Sequence, residues 1–271
     1  MIEKWKYYCG GSALLAWLTI GLVAVWLAVT LLALVGRLAG IYIPVADWLT
    51  LPSLFPLFLS RPWTLLTYMA VHFEFLHMLF NVLWLYWFGQ MMLTAYHDRH
   101  LAFAFAGGGI AGGIFFLASA ALGYGSGWLC GCSAAVIAVM CATAIRLPDF
   151  PVRLFLIGEV KLKWVSVACC LLTFLGGGGN QAAHIGGLLW GVAFGLMLQR
   201  GIDPTAKFRY HNGGKRETRR SADRMVRVLH DRQDDIRRLD ELLDKIRISG
   251  YGSLSSRERK ELNEISSRIK K

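Results

Sequence analysis

Long apolar runs dominate the first 200 residues of the chain and restrict it to a membrane fold more than any other feature does. The first run, Ala13–Val35, is long enough to span about 30 Å of hydrocarbon at about 1.5 Å of helix per residue. A helix that is apolar all round needs a bilayer or a large protein core around it. A secretory signal has a shorter apolar part. We therefore predict that this run is a retained transmembrane helix.

Further apolar runs follow up to residue 200. The sequence predicts transmembrane helices at Glu74–Tyr96, Leu101–Leu122, Gly131–Ile145, Trp164–Leu175 and Ala182–Leu198. Prolines and aromatic residues interrupt the segment Arg37–Arg61, which we expect to lie in the membrane interface. The glycine-rich segment Gly176–Asn180 is a predicted turn. The predicted fold is all-α, a polytopic membrane bundle of six transmembrane helices (spans one to six) with a short helical soluble tail.

Charged residues are concentrated at the end of the chain, although they make up only 17% of the sequence and apolar residues make up 55%. Residues 201–271 hold 19 of the 29 lysines and arginines and 12 of the 18 acidic residues. This contrast predicts a membrane domain at 1–200, followed at 201–271 by a basic linker and a cytoplasmic helical tail. The net charge of +11 then reflects contact with the anionic lipid surface of a bilayer, and we expect no nucleic-acid partner.

The loops on the side of the two termini carry most of the basic residues of the membrane domain. They include Lys4, Lys6, Arg99 and the loop Arg146–Lys163, whereas the loops after spans three and five carry no charge. Because basic residues favour the cytoplasmic side of a membrane, we expect both termini to be cytoplasmic. In a bacterium the protein would then lie in the inner membrane.

Three polar side chains lie near the start of the spans that run from outside to inside. His77 is in span two, Ser133 in span four and His184 in span six, each within about one helical turn of the outer end. Polar groups in hydrocarbon are unfavourable enough to indicate a function. Their similar depth predicts one shared site that opens to the outer side of the membrane.

Serine and histidine at that depth are suited to nucleophilic catalysis. A neutral histidine can accept the serine proton, which makes Ser133 and His184 a candidate catalytic pair. No acidic residue of the membrane domain lies convincingly at this depth, so a dyad is favoured over a triad. His77 and Asn81 share one helix face and, with the backbone N–H of Ser133, predict an oxyanion hole. His72 is a further candidate for this hole, or a buried hydrogen-bonding residue.

Small residues at helical spacing surround the predicted site. Gly131 precedes the serine, Ala134 follows it, and Gly187 and Gly191 lie on one face of span six, which predicts close helix packing. The cysteines mostly lie inside or beside apolar runs, without the spacing of a metal site or a disulfide framework. We therefore expect neither a metal nor a cofactor.

Three motifs resemble those of the rhomboid family of intramembrane serine proteases, and the similarity covers about residues 13–200. The motifs are His72-x4-His77-x3-Asn81 in span two, Gly131-x-Ser133 at the start of span four and Ala183-His184-x2-Gly187-x3-Gly191 in span six. The resemblance implies a six-helix protease in which Ser133 is the nucleophile, His184 the general base, and His77 and Asn81 oxyanion donors. It also implies transmembrane protein substrates, cut near the outer end of a membrane segment.

Some positions differ from patterns found in that family. Ala134 stands where glycine often follows the serine, and Ile137 stands where some members have an aromatic residue that stacks on the histidine. The Trp-Arg pair found in the first outer loop of some bacterial members is absent, although Arg61-Pro62-Trp63 is available to anchor that loop at the interface.

The tail has a basic linker, Lys207–Arg220, followed by two segments of helical pattern. Ser255 and Glu258 have the spacing of a capping box between the segments, which we expect to pair as a hairpin. The apolar positions at helical spacing are Leu239, Leu242, Leu243, Ile246, Leu262, Ile265 and Ile269. The tail is similar to those of Bacteroidetes-type rhomboids. No catalytic constellation is present in the tail, so we assign it to regulation, partner binding or membrane-surface contact.

Two other functions compete with proteolysis. A rhomboid-like protein that binds membrane helices without cutting them would need no catalytic pair, yet the chain has one. A small transporter with a histidine proton relay would be expected to have an internal repeat and ionisable groups near the bilayer midplane, and neither is evident in the sequence. Each polar residue alone also fits helix packing or an interfacial position, but their combination favours a protease.

Overall fold

The computed structural model describes residues 5, 7–125, 127–154, 158–175, 181–208 and 237–269. The chain divides into two compact units, Met1–His211 and Asn212–Lys271. Three expectations lie wholly or mostly outside the described residues: the turn at Gly176–Asn180, the positions of Lys4 and Lys6, and the linker beyond residue 208.

The first unit is all-α in its main elements, as the sequence predicts. Its longer helices are α1 (Ala13–Ala39), α5 (Phe75–Ala95), α6 (Asp98–Ala121), α7 (Ser133–Arg146), α8 (Leu162–Leu175) and α9 (Gln181–Gln199). Each of them overlaps one predicted span. Shorter helices are α2 (Val45–Leu49), α3 (Phe55–Ser60) and α4 (Thr64–Thr67), with 3-10 turns at Tyr68–Ala70 and Pro204–Phe208.

Two small antiparallel sheets were not predicted. Strand β1 (Leu51–Pro52) pairs with β2 (Trp128–Leu129), and β3 (Pro151–Leu154) pairs with β4 (Gly158–Lys161). A two-residue strand has no periodicity that a sequence can reveal, because one alternation fits any loop. The first sheet matters for the site, since it ties the loop between α1 and α5 to the segment that leads into α7.

Several helices meet the length and composition of a membrane span. In the described part of the chain these are α1, α6 and α9, and a fourth span forms if Thr64–Ala70 and α5, bent by 96°, count as one. The helices α7 and α8 are apolar but have 14 residues each, which is about 21 Å. The protein is therefore an integral multi-pass membrane protein.

Helix α7 forms the core of the first unit, and every residue from Ala134 to Ala144 is buried. A Cβ added at Gly187 would lie 2.2 Å from the carbonyl oxygen of Ala134, and one at Gly191 would lie 2.5 Å from that of Ala138. The backbones of α7 and α9 are thus in direct contact. Such contact is possible only where one helix carries glycine, which is the physical reason for the small-residue ladders.

The loop between α1 and α5 contains the three short helices α2, α3 and α4 and several aromatic contacts. The Arg61 guanidinium lies 4.2 Å from the centroid of the Trp48 ring, and Trp48 stacks on Trp63 with centroids 5.9 Å apart. Leu54 and Phe55 remain exposed on the same loop. Trp48 and Arg61 are therefore in contact although 13 positions separate them, which no adjacent motif in the sequence indicates.

The second unit contains two described helices, α10 at 237–249 and α11 at Ser256–Ile269. Arg238 pairs with Glu261 at 3.0 Å and Lys245 pairs with Glu258 at 2.7 Å, so the helices form a hairpin. The residues Leu242, Leu254 and Ile265 are buried in it. The capping box forms, because the Ser255 hydroxyl accepts the Glu258 N–H and the Glu258 carboxylate accepts the Ser255 N–H. Leu243, which the apolar stripe included, is 48% exposed.

Candidate active site

Ser133 is the first residue of α7, and the local backbone places its side chain at the free end of that helix. Gly131 has φ +92°, a conformation that favours glycine, and its N–H donates to the Tyr68 carbonyl at 2.9 Å. Cys132 then caps the helix. The chain therefore turns sharply before Ser133, and the serine is only half buried.

Ser133 and His184 lie in direct contact, although 51 positions separate them. The distance from Ser133 Oγ to His184 Nε2 is 2.8 Å. His184 belongs to the first turn of α9, which packs along α7 through Gly187. The same glycine that lets the two backbones touch therefore brings the imidazole within hydrogen-bond distance of the hydroxyl.

The other ring nitrogen of His184, Nδ1, is buried and has no hydrogen-bond partner among the described residues. No hydrogen bond or ion pair in the described part of the chain joins His184 to a carboxylate. For Nε2 to accept the serine proton, the neutral ring must carry its own proton on Nδ1. The described site is a two-residue arrangement without an orienting acid.

His77 lies against the backbone just before the serine. A Cβ added at Gly131 would be 2.7 Å from Cε1 and 2.9 Å from Nε2 of His77. The ring also meets His72 edge to face, with centroids 5.1 Å apart at 70°. Gly131 is thus required twice, for its backbone angle and for the approach of the His77 ring.

His72 and Asn81 form a buried hydrogen-bonded group beside the same turn. The Asn81 amide nitrogen lies 3.2 Å from His72 Nε2 and donates to the His77 carbonyl at 2.9 Å. The Cys132 N–H also points to His72 Nε2, at 3.4 Å. Because Nε2 of His72 faces these N–H donors, it acts as an acceptor. In this geometry His72 joins α5 to the turn formed by Gly131, Cys132 and Ser133, which we call the serine turn. His72 offers no Nε2 proton to an oxyanion.

The geometry around Asn81 differs from the prediction of a free oxyanion donor. The two protons of its amide nitrogen are directed to His72 and to the His77 carbonyl. The backbone N–H of Ser133, in contrast, has no partner in the described part of the chain, as expected for the start of a helix. That N–H and the ring of His77, which lies against Gly131, are the candidate donors beside the nucleophile.

Ala134, which stands where glycine often follows the serine in the family, contacts two other helices. Its methyl group faces Gly112 on α6, where an added Cβ would lie only 2.6 Å away, while its backbone faces Gly187 on α9. The methyl therefore does not separate α7 from α9. The space for it is provided by a glycine on a third helix, so Ala134 leaves the approach of His184 intact.

Two residues next to the site could not be identified from the sequence. Tyr68 is fully buried; its carbonyl accepts the Gly131 N–H, and its hydroxyl donates to the Gly109 carbonyl at 2.7 Å. Phe174 meets the His184 ring edge to face, with centroids 6.5 Å apart at 80°. Neither gave a signal, because an aromatic residue in an apolar run is ordinary.

Within the described residues, no group of three or more histidine, cysteine, aspartate or glutamate side chains is placed to hold a metal ion. The arrangement that remains is a serine, its histidine neighbour and N–H donors at the end of a helix. Such an arrangement can perform acyl transfer.

Comparison with known families gives two matches. A family model of the Rhomboid domain matches residues 59–201, more than half of the chain, and it includes all the site residues described above. A model for a family of unknown function (DUF6576) matches residues 227–268 in the tail. No curated protein matches the chain. The similarity of the tail to Bacteroidetes-type rhomboids stays a prediction.

Proposed function

The chain belongs to the rhomboid family of intramembrane proteases, and we propose that it is a serine endopeptidase that cuts transmembrane segments of other membrane proteins near their outer ends. The observation that carries this proposal is the 2.8 Å contact between Ser133 Oγ and His184 Nε2. A serine in an apolar bundle needs no histidine for packing, whereas a nucleophile needs a base within this distance.

The reaction begins when Ser133 Oγ attacks the carbonyl carbon of the scissile peptide bond. The serine proton passes to His184 Nε2 as the new C–O bond forms, and the carbonyl oxygen becomes negatively charged. Collapse of this intermediate breaks the C–N bond, and the departing amine takes the proton from Nε2. An acyl ester on Ser133 remains.

Water completes the reaction by the same route. His184 Nε2 accepts a proton from the water as its oxygen attacks the ester, and the proton then returns to Ser133 Oγ when the acid product leaves. The imidazolium forms without a carboxylate beside it, because the described residues place none there. Packing must therefore orient the ring.

The negatively charged oxygen is stabilised by the backbone N–H of Ser133 and by the His77 ring. The N-terminus of α7 adds a partial positive charge there. Asn81 contributes a donor after it gives up one of its present contacts, to His72 or to the His77 carbonyl. We assign His72 to holding the serine turn.

The proposal includes six spans with both termini in the cytoplasm, and in a bacterium this places the protein in the inner membrane. The short helix α7 supports this topology, because about 21 Å of helix leaves part of a bilayer of about 30 Å above Ser133. That space accommodates the water that hydrolysis needs. The charge distribution along the loops supports the orientation.

Cleavage of a single-span reporter in proteoliposomes tests the proposal. The wild-type protein should cut the reporter near the outer end of its membrane segment, as mapped by mass spectrometry of the products. Ser133→Ala and His184→Ala should each reduce the rate by at least about 100-fold. Retention of the reporter without cleavage, over a range of membrane segments, would instead identify a non-proteolytic rhomboid-like binding protein.

A further inference from the structure

The His184 ring makes a single hydrogen bond within the described part of the chain, so hydrogen bonding alone does little to fix its orientation. Its Nε2 contacts Ser133, but its buried Nδ1 has no partner among the described residues. A single contact does not fix the plane of a ring, since the imidazole can still adjust its orientation by rotation about its Cα–Cβ and Cβ–Cγ bonds. Ile137, one turn beyond the serine on α7, is aliphatic and offers no ring to stack on.

Phe174 on α8 supplies the missing ring contact. Its centroid lies 6.5 Å from that of His184, at an interplanar angle of 80°. This is an edge-to-face arrangement, in which the positive edge of one ring faces the negative face of the other, and it restricts rotation of both. No other ring packs on His184 in the described part of the chain.

Gln181 holds Phe174 in this position. Its side-chain nitrogen Nε2 donates to the Phe174 carbonyl at 3.2 Å. That carbonyl belongs to the last turn of α8, where carbonyl groups lack partners within the helix. Gln181 begins α9 and lies three positions before His184, so both side chains project from one face of that helix.

We propose that Phe174 is a positioning residue for the His184 base, and that Gln181 positions Phe174 by capping the end of α8. The contact runs from Gln181 to the Phe174 backbone, and from the Phe174 ring to the imidazole. Leu175, the last residue of α8, is 81% exposed, and in the described part of the chain the cap and the ring contact join this end of α8 to α9. This inference rests on the proposed protease function.

The test compares Phe174→Leu, Phe174→Tyr and Gln181→Met with Leu175→Ala, an exposed neighbour of Phe174 on the same helix. One readout is the rate at which a small fluorophosphonate labels the full-length protein in detergent. The other is kcat and KM for a single-span reporter in proteoliposomes. The thermal midpoint of each variant shows whether it is folded.

Phe174→Leu should lower the labelling rate and kcat by roughly 3- to 10-fold, with KM within about twofold of the wild-type value, since one ring contact contributes roughly 0.5–1.5 kcal/mol. Phe174→Tyr should keep both the labelling rate and kcat close to the wild-type values, because it retains the aromatic ring. Gln181→Met should have a labelling rate and kcat between those of Phe174→Leu and Phe174→Tyr. Leu175→Ala should have the same labelling rate and kcat as the wild type.

Three results would overturn the inference. Unchanged labelling in Phe174→Leu would mean that the ring does not orient the base, and a change in KM alone would assign Phe174 to substrate binding. An equal loss in Leu175→Ala would indicate general loosening of α8. Failure of the proposed function looks different, because then the wild-type protein itself is not labelled at Ser133, and the inference falls with it.

Discussion

Gly131→Ala is the substitution that most directly probes how the serine turn is built. Gly131 has φ +92°, and a methyl group there would lie 2.7 Å from Cε1 and 2.9 Å from Nε2 of His77. The backbone conformation alone costs roughly 1–2 kcal/mol for a residue with a Cβ. Overpacking against the imidazole adds roughly 1–3 kcal/mol. The only relief is a movement of His77 or of the turn that carries Ser133.

The two contributions can be separated with Gly158→Ala as a matched control. Gly158 has φ +88°, nearly the same backbone strain, but an added Cβ there meets nothing within 4 Å. Both variants should lose thermal stability in detergent. Only Gly131→Ala should also lose activity, by about 100-fold, because a shift of about 1 Å in a catalytic group has that effect.

The assay is the rate of fluorophosphonate labelling at Ser133, measured on purified variants that elute as folded protein, alongside their thermal midpoints. If Gly131→Ala is labelled as fast as Gly158→Ala, then the close approach of His77 to the turn has no part in the site. The account of the oxyanion donors would then be wrong.

Three further predictions concern other parts of the molecule. Gly187→Ala should lower the thermal midpoint strongly, because its Cβ would lie 2.2 Å from a backbone carbonyl oxygen of α7, and differential scanning fluorimetry measures this. Mild oxidation should link Cys141 to Cys170, whose sulfur atoms are 4.0 Å apart, and peptide mapping without reductant should find that bond. In the tail, the hydrogen bond from Lys245 and, to a smaller extent, the one from the Ser255 N–H lower the pKa of Glu258 to about 2. The ion pair of Lys245 with Glu258 therefore stabilises the hairpin at pH values above the ordinary glutamate pKa, and this stabilisation is lost as the pH falls toward 2. NMR titration of the Glu258 carboxylate should show the lowered pKa. Lys245→Met should raise the pKa of Glu258.

The helices and the proximity of Ser133 to His184 could be predicted from the sequence, because both depend on strong local signals. A long apolar run has few alternatives to a span, and the positions of Ser133 and His184 along such runs put the two residues at one depth. Helix-packing glycines were also visible, since their spacing of four follows the helical period.

The details that the sequence could not predict depend on contacts between distant segments. Nothing around Ala134 indicates that its methyl group faces Gly112 on a third helix. A sequence also does not show that His72 and the His77 carbonyl compete for the N–H donors of Asn81. Phe174 is one of many aromatic residues in apolar runs, and only the packing of α8 on α9 singles it out.

The central claim is that Ser133 is a nucleophile whose proton is taken by His184. The most direct test is fluorophosphonate labelling of the full-length protein in detergent, with the adduct located by peptide mass spectrometry. We predict a single adduct on Ser133, no labelling in Ser133→Ala and a rate reduced by at least about 100-fold in His184→Ala. Undiminished labelling in both variants, or an adduct on another residue, would contradict the account.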